Sequence, residues 1–256
     1  MFRNRKSIRF RVIFWTLLVL ISLLIFRSCC SSLIDDCDSS NLISKKMTII
    51  VDPGHGGFDG GADGLFGIVE KDINLAIGVK LKEMLCAFGF DVVIIRDSDV
   101  SLEDDCSRSL SERKTSDMKN RLKFCDNFDN PVFISIHQNK FYQASCSGTQ
   151  IFYGRHNNKS KLLAQKLQNN FKNDINKNNN REIKKGEKNL FLLYNARCPI
   201  VLIECGFISN PSEAQLLISE DYQSKICFVI IKSLIEFVES GSLKDNSLST
   251  FFRFKI

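Results

Sequence analysis

From Met47 onward, short and nearly uninterrupted apolar runs alternate with longer stretches of helical periodicity, a pattern that few architectures accept. Met47-Thr48-Ile49-Ile50-Val51, Asp91-Val92-Val93-Ile94-Ile95, Val132-Phe133-Ile134-Ser135-Ile136, Thr149-Gln150-Ile151-Phe152-Tyr153 and Ile200-Val201-Leu202-Ile203 read as strands. Residues 70–88 set Ile73, Ile77, Leu81, Met84, Leu85 and Phe88 on one side of a helix that Gly89 ends. Helices are also predicted over 116–128, capped by Ser116, over 158–175 and over about 221–239, with polar loops at 97–115 and 173–189. Strands this apolar need cover on both sides. The expected fold is therefore α/β: a single domain over residues 46–240, built on a mostly parallel twisted sheet with helices on both faces, its site at the carboxyl ends of the strands.

The net charge of +6 is the next constraint, because it is unevenly distributed. Residues 1–11 contribute +5 through Arg3, Arg5, Lys6, Arg9 and Arg11, residues 12–44 contribute −2, and residues 45–256 are left with +3. A nearly neutral domain carries no footprint for a phosphate backbone, so nucleic acid is excluded as a partner. The basic start leads into Val12–Phe26, fifteen residues without a charge. Such a run is roughly 22 Å long as a helix against a hydrocarbon core of about 30 Å. Residues 1–27 thus read as a signal peptide or signal-anchor helix that leaves the Arg-rich side in the cytoplasm and the domain exported. The Ser- and Asp-rich stretch 28–45 reads as a linker, and 241–256 as a C-terminal tail without an assigned structure.

The ten cysteines include no C-x-x-C and none is paired with a histidine at zinc-finger spacing. Cys86, Cys205 and Cys227 are expected as small apolar core residues, with no disulfide connectivity legible. Histidine is scarce, with only His55, His137 and His156 in the chain. Two of these fall where strands end: His55 after the first strand and His137 after the third, with Glu204 following the last long one. Seven of the fourteen glycines crowd between Gly54 and Gly67, a loop that fits neither a Rossmann nor a Walker fingerprint and ends at Glu70. His55, Glu70 and His137 would make a His₂Glu set, the three-ligand arrangement of a catalytic zinc with one open position. Glu204, on the same edge, is then free to act as general base. His156 sits in a polar run and reads as a surface residue.

Val51-Asp52-Pro53-Gly54-His55-Gly56-Gly57, Glu70, Ser135-Ile136-His137-Gln138-Asn139 and Ile203-Glu204-Cys205-Gly206-Phe207-Ile208-Ser209-Asn210-Pro211 resemble the motifs of the zinc-dependent N-acetylmuramoyl-L-alanine amidases known as Amidase_3. The resemblance spans about residues 46–240. Gln138 departs from the small residue many relatives carry. The stretch Arg113–Arg121, the short N-terminal segment and the lack of wall-binding repeats make the chain most similar to the subgroup acting on spore cortex in sporulating bacteria. The resemblance implies one Zn²⁺ held by His55, Glu70 and His137, with Glu204 as the catalytic carboxylate. It implies hydrolysis of the amide between N-acetylmuramic acid and L-alanine in peptidoglycan, as a step toward the muramic-δ-lactam needed for germination. An activating or targeting accessory protein is expected, as is membrane association through the N-terminal segment. Arg96, Arg113 and Arg121 are candidates to meet stem-peptide carboxylates, although cations beside a loop ordinarily face solvent. Autoinhibited relatives carry an inserted helix before the last catalytic strand, and the Asn-rich 176–189 is expected to hold none. Substrate-binding residues are not legible. The rivals are a zinc peptidase cutting within the stem peptide and a non-enzymatic wall-binding protein.

Overall fold

The computed structural model describes residues 47–104 and 109–242. The predicted N-terminal segment, the linker and most of the tail lie outside these residues. Six strands form one sheet in the order β2-β1-β3-β6-β4-β5, where β1 is Thr48–Pro53, β2 Asp91–Ile94, β3 Pro131–Asn139, β4 Gln150–Tyr153, β5 Lys184–Lys185 and β6 Ile200–Phe207. Every neighbouring pair is parallel except β4 and β6, which run antiparallel. The mostly parallel α/β sheet expected from the apolar runs is thus the one observed.

Alternation along the strands divides the core. Ile49, Val51, Ile134, Ile136, Val201 and Ile203 meet helices α1 (Glu70–Ala87), α3 (Asn158–Asp174) and α6 (Glu220–Phe237) on one face. Ile50, Phe133, Ile200 and Leu202 point the other way, toward α2 (Leu110–Lys123) and the short α4 (Phe191–Asn195). This second face also receives Asp52, Ser135, His137 and Glu204, the residues in step with Ile50, Phe133 and Leu202 along the same strands.

Several boundaries differ from the sequence reading. Helix α2 begins at Leu110, because Ser109 caps it and Glu112 closes a capping box, the Ser109 Oγ accepting from the Glu112 N–H and the Glu112 carboxylate accepting from the Ser109 N–H. Ser116 is instead buried within that helix, where its hydroxyl donates to Asp104. The Asn-rich stretch 176–189 holds no helix, but it is not simply solvated. Asn179 is buried and donates to the Thr149 carbonyl, and β5 adds to the sheet edge. Helix α5 (Pro211–Leu217) was not anticipated; Asn210 caps it and Pro211 starts it. Cys205 and Cys227 are buried as expected, whereas Cys86 is exposed on α1. Among the described residues no helix is long and apolar enough to cross a membrane.

Candidate metal centre

The chain leaves β1 through Pro53 and Gly54, and what happens next depends on missing side chains. A Cβ on Gly54 would lie 2.3 Å from the imidazole of His137, so only glycine lets the third strand's histidine close against the exit of the first. His55 follows in the left-handed region at φ 62°, a conformation that a residue with a side chain holds only when its surroundings enforce it. Two contacts do so. The Arg121 Nη2 donates to the His55 carbonyl at 2.7 Å, and His55 Nδ1 lies 2.8 Å from Asp59 Oδ2. The loop then returns through Gly61, φ 71°, where a Cβ would meet Glu70 Oε2 at 2.6 Å and the His55 ring at 2.7 Å.

Glu70 opens α1, so its carboxylate sits at the positive end of the helix. It is nearly inaccessible, with 5% of its side chain exposed, yet well satisfied. The backbone N–H groups of Ala62 and Gln138 donate to it at 2.9 and 3.1 Å. His137 Nδ1 lies 3.0 Å from Oε1 and His55 Nε2 lies 3.3 Å from Oε2. Burial pushes the carboxyl up, but the hydrogen bonds and charges of the two histidines outweigh it and hold the group well below the usual carboxylate range. The same contacts act in reverse on His55. Its burial disfavours the charged ring, but Asp59 and Glu70 overcome this and raise its pKa to about 9.

His55, Glu70 and His137 each bring a ligand atom within 4.8 Å of the other two, so the three can hold a metal ion. The two rings meet edge to face, 4.9 Å apart at 78°. Sequence position placed these three at one sheet edge, and the structure brings them into one cluster. His137 and Glu204 differ from expectation only in that their strands continue past them, to Asn139 and Phe207. Glu204 lies directly across from His137 in the β3–β6 ladder. Its Oε2 is buried without a hydrogen-bond partner among the described residues, and burial, reinforced by Glu70 and opposed by the histidines, raises its pKa to about 7. A carboxyl so placed is divided between its two protonation states near neutral pH, which suits a group that must both take and return a proton.

The supporting residues were not found from the sequence. Asp59 orients His55 and is itself paired with Lys114 at 2.9 Å. Such a carboxylate behind a histidine fixes which ring nitrogen is free to ligate. Its only signal was a position four residues after His55 in the glycine loop. Arg96 and Arg121 turn out to be neither solvent-facing cations nor free to meet a substrate carboxylate. Arg96 is buried and donates to the carbonyls of Pro53, Gly54 and Lys71. Arg121, fully buried, donates to the Pro53 and His55 carbonyls and pairs with Asp52 and Asp117. Arg113 is also engaged, with Glu103 at 2.6 Å and over the Phe58 ring. Gln138 lies on the opposite side of the sheet from the cleft, where its amide donates to Asn74 beneath Glu70. His156 is exposed and apart from the cluster, as its polar surroundings suggested.

Arg121→Met should therefore destabilise the fold by about 3–5 kcal/mol, because it strands two buried carboxylates. Chemical denaturation checks this: the midpoint should fall at an unchanged slope, and a midpoint equal to the parent's would mean that the clamp carries no stability.

Beside the cluster lies a cavity of about 280 Å³ over the second sheet face, bordered by His55 and His137 at one end and floored by Met118, Leu192, Leu193 and Leu202.

Comparison with known proteins agrees with this architecture. Residues 49–236 match the Amidase_3 family model, N-acetylmuramoyl-L-alanine amidase. The germination-specific N-acetylmuramoyl-L-alanine amidase of Bacillus subtilis is 35% identical over 200 residues, covering 78% of this chain and 83% of that protein. Among solved structures, the CwlD amidase from Clostridioides difficile, in complex with the GerS lipoprotein, superposes with a TM-score of 0.71 at 38% identity, covering 76% of this chain and 99% of that one. An N-acetylmuramoyl-L-alanine amidase from Clostridium difficile 630 gives 0.65 at 29% identity, covering 77% and 99%. The chain is an enzyme of the Amidase_3 family, the N-acetylmuramoyl-L-alanine amidases.

Proposed function

We propose that the chain is a zinc-dependent amidase that cuts the bond between N-acetylmuramic acid and L-alanine in peptidoglycan, with His55, Glu70 and His137 as metal ligands and Glu204 as the catalytic carboxylate. The observation that carries this reading is the convergence of two imidazoles and one ionised carboxylate beside a buried carboxyl oxygen that has no partner among the described residues. The donor set fits zinc: nitrogen and oxygen ligands, three in number, with Asp59 behind His55 as an outer partner. A zinc ion there supplies Lewis acidity and makes water available as a nucleophile near neutral pH. Glu204 takes the proton of the attacking water and returns it to the departing alanine nitrogen. Asp59 keeps His55 in the ligating tautomer, and Arg121 with Arg96 holds the backbone that presents it.

Muropeptide digestion tests the bond assignment. Released stem peptides that begin with L-alanine are expected; loss of a terminal residue or internal stem cleavage would identify a peptidase, and intact muropeptides a binding protein.

The germination-specific relative supports a role in germination; in spore cortex the freed muramic acid would be the substrate from which a second enzyme closes the δ-lactam. The neighbour solved with a lipoprotein supports an accessory protein for this chain as well. Residues 1–27 would deliver the domain 46–240 across the cytoplasmic membrane and tether it on the outer face or release it into the wall.

The proton held by His55 makes a further expectation. A ring with a pKa of about 9 is charged at pH 7 and must lose its proton before it can ligate. Apparent zinc affinity should rise about tenfold per pH unit from 7 until pH passes about 9. Asp59→Asn removes one of the charges that retain the proton, so it should flatten this dependence while weakening affinity at high pH by about 10–100-fold. Competition with a chelating dye at several pH values reads both; a pH-independent affinity in the parent would contradict the assignment of His55.

A further inference from the structure

Ten cysteines in one chain are more than the catalytic site uses. Among the six described, Cys205 and Cys227 belong to the core on the α1 side of the sheet, Cys86 is exposed and Cys146 half-buried. Cys125 and Cys198 stand apart from these. Both are buried in the apolar cluster on the opposite, cleft-bearing face, and their Sγ atoms lie 2.7 Å apart although 73 positions separate them in sequence. Cys125 follows the end of α2 and Cys198 precedes β6, so the two sulfurs meet where the two walls of the cleft are rooted. One wall is α2, which carries Met118, Lys114 and Arg121; the other is the segment Leu190–Leu193 leading into Cys198.

We propose that Cys125 and Cys198 form a disulfide that staples these two walls together. The two sulfurs, already 2.7 Å apart, have only about 0.7 Å left to close to a covalent bond of about 2.0 Å. The oxidant is an external disulfide, either a small-molecule one or that of a thiol–disulfide oxidoreductase. The thiolate of one cysteine attacks it and expels a thiol; the second cysteine then attacks the mixed disulfide at the first cysteine's sulfur and expels the other. The protein loses two electrons and two protons, and the external disulfide gains both as two thiols. Once folded, each sulfur is shielded, and contact with Cys198 together with burial holds the Cys125 thiol well above its ordinary range. The bond therefore forms as the chain folds, while the thiols are accessible, and resists reduction afterwards. The proposal rests on the export reading only for where the cell supplies the oxidant. The pairing itself rests on the geometry.

The test uses the full chain, refolded from the reduced, denatured state in a glutathione redox buffer and trapped with N-ethylmaleimide in denaturant. Peptide mapping should recover Cys125 joined to Cys198, 2 Da lighter than the two free peptides. Recovery of both as maleimide adducts, or joined to other cysteines, would overturn the proposal. In thermal unfolding, reductant should lower the Tm of the parent by about 5–15 °C and leave that of the Cys125→Ala, Cys198→Ala double variant unmoved. An equal response in both would count against the staple, and the peptide map stands on its own if the double variant does not fold. No wall substrate enters either measurement, so the result is independent of whether the amidase reading holds.

Discussion

Glu204→Gln should reduce turnover of peptidoglycan by about 10²–10⁴-fold while leaving bound metal at the parental level. The substitution preserves shape and removes only the capacity to carry a proton. Glu204 lies across from His137 rather than within the group of three whose ligand atoms converge, so its loss should not empty the site. The Oε2 atom, without a partner among the described residues, makes the effect specific. The parent carboxyl, raised to about 7, is partly ionised under neutral assay conditions, whereas an amide is never a base. Activity in the parent should accordingly fall as pH drops below the value of this group in the working enzyme, and the variant should lose that limb of the profile. Elemental analysis alongside kcat separates the cases: full turnover would remove Glu204 from the chemistry, and parallel loss of metal would make it a ligand.

Replacing a ligand should have the converse pattern. His137→Ala is expected to empty the site and to abolish activity together, with no metal retained after dialysis. It also opens space against Gly54, whose backbone the ring now touches, so some loss of stability accompanies it. His55→Ala should behave alike on metal content. His156→Ala serves as the comparison, since that ring is exposed, faces the Tyr194 ring with centroids 6.5 Å apart, and stands outside the group of three. A His137→Ala protein that kept stoichiometric zinc would require a different ligand set.

The amount legible in advance follows from what each feature depends on. Strands and long helices are dictated by local periodicity, which is why β1, α1, β3 and α3 fall where apolar spacing put them. Residues at strand ends, or at the head of the helix that follows, inherit their position from the fold, so His55, Glu70 and His137 can be placed at one edge from the sequence alone. Short elements were missed where the deciding signal was polar. The Ser109–Glu112 capping box displaced the start of α2, and the Asn210-Pro211 pair that opens α5 was read only as the end of a family motif. The supporting residues were illegible for another reason. Arg121 acts on the carbonyl of His55 from sixty-six positions away, and nothing in a sequence states that an arginine on an amphipathic helix will be the one turned inward. Asn179 shows the same limit in a loop, where composition suggested solvent and a single long-range hydrogen bond decided otherwise.

The proposed activity couples one metal to one bond, and a single experiment addresses both. The full chain is stripped of metal, divided, and reloaded with zinc in one portion only; each portion is incubated with isolated wall and the new amino termini are quantified. Alanine termini are expected in the zinc-loaded portion and none above background in the stripped one. Equal release of alanine termini from both portions, or release of any other terminus by the loaded one, would contradict it.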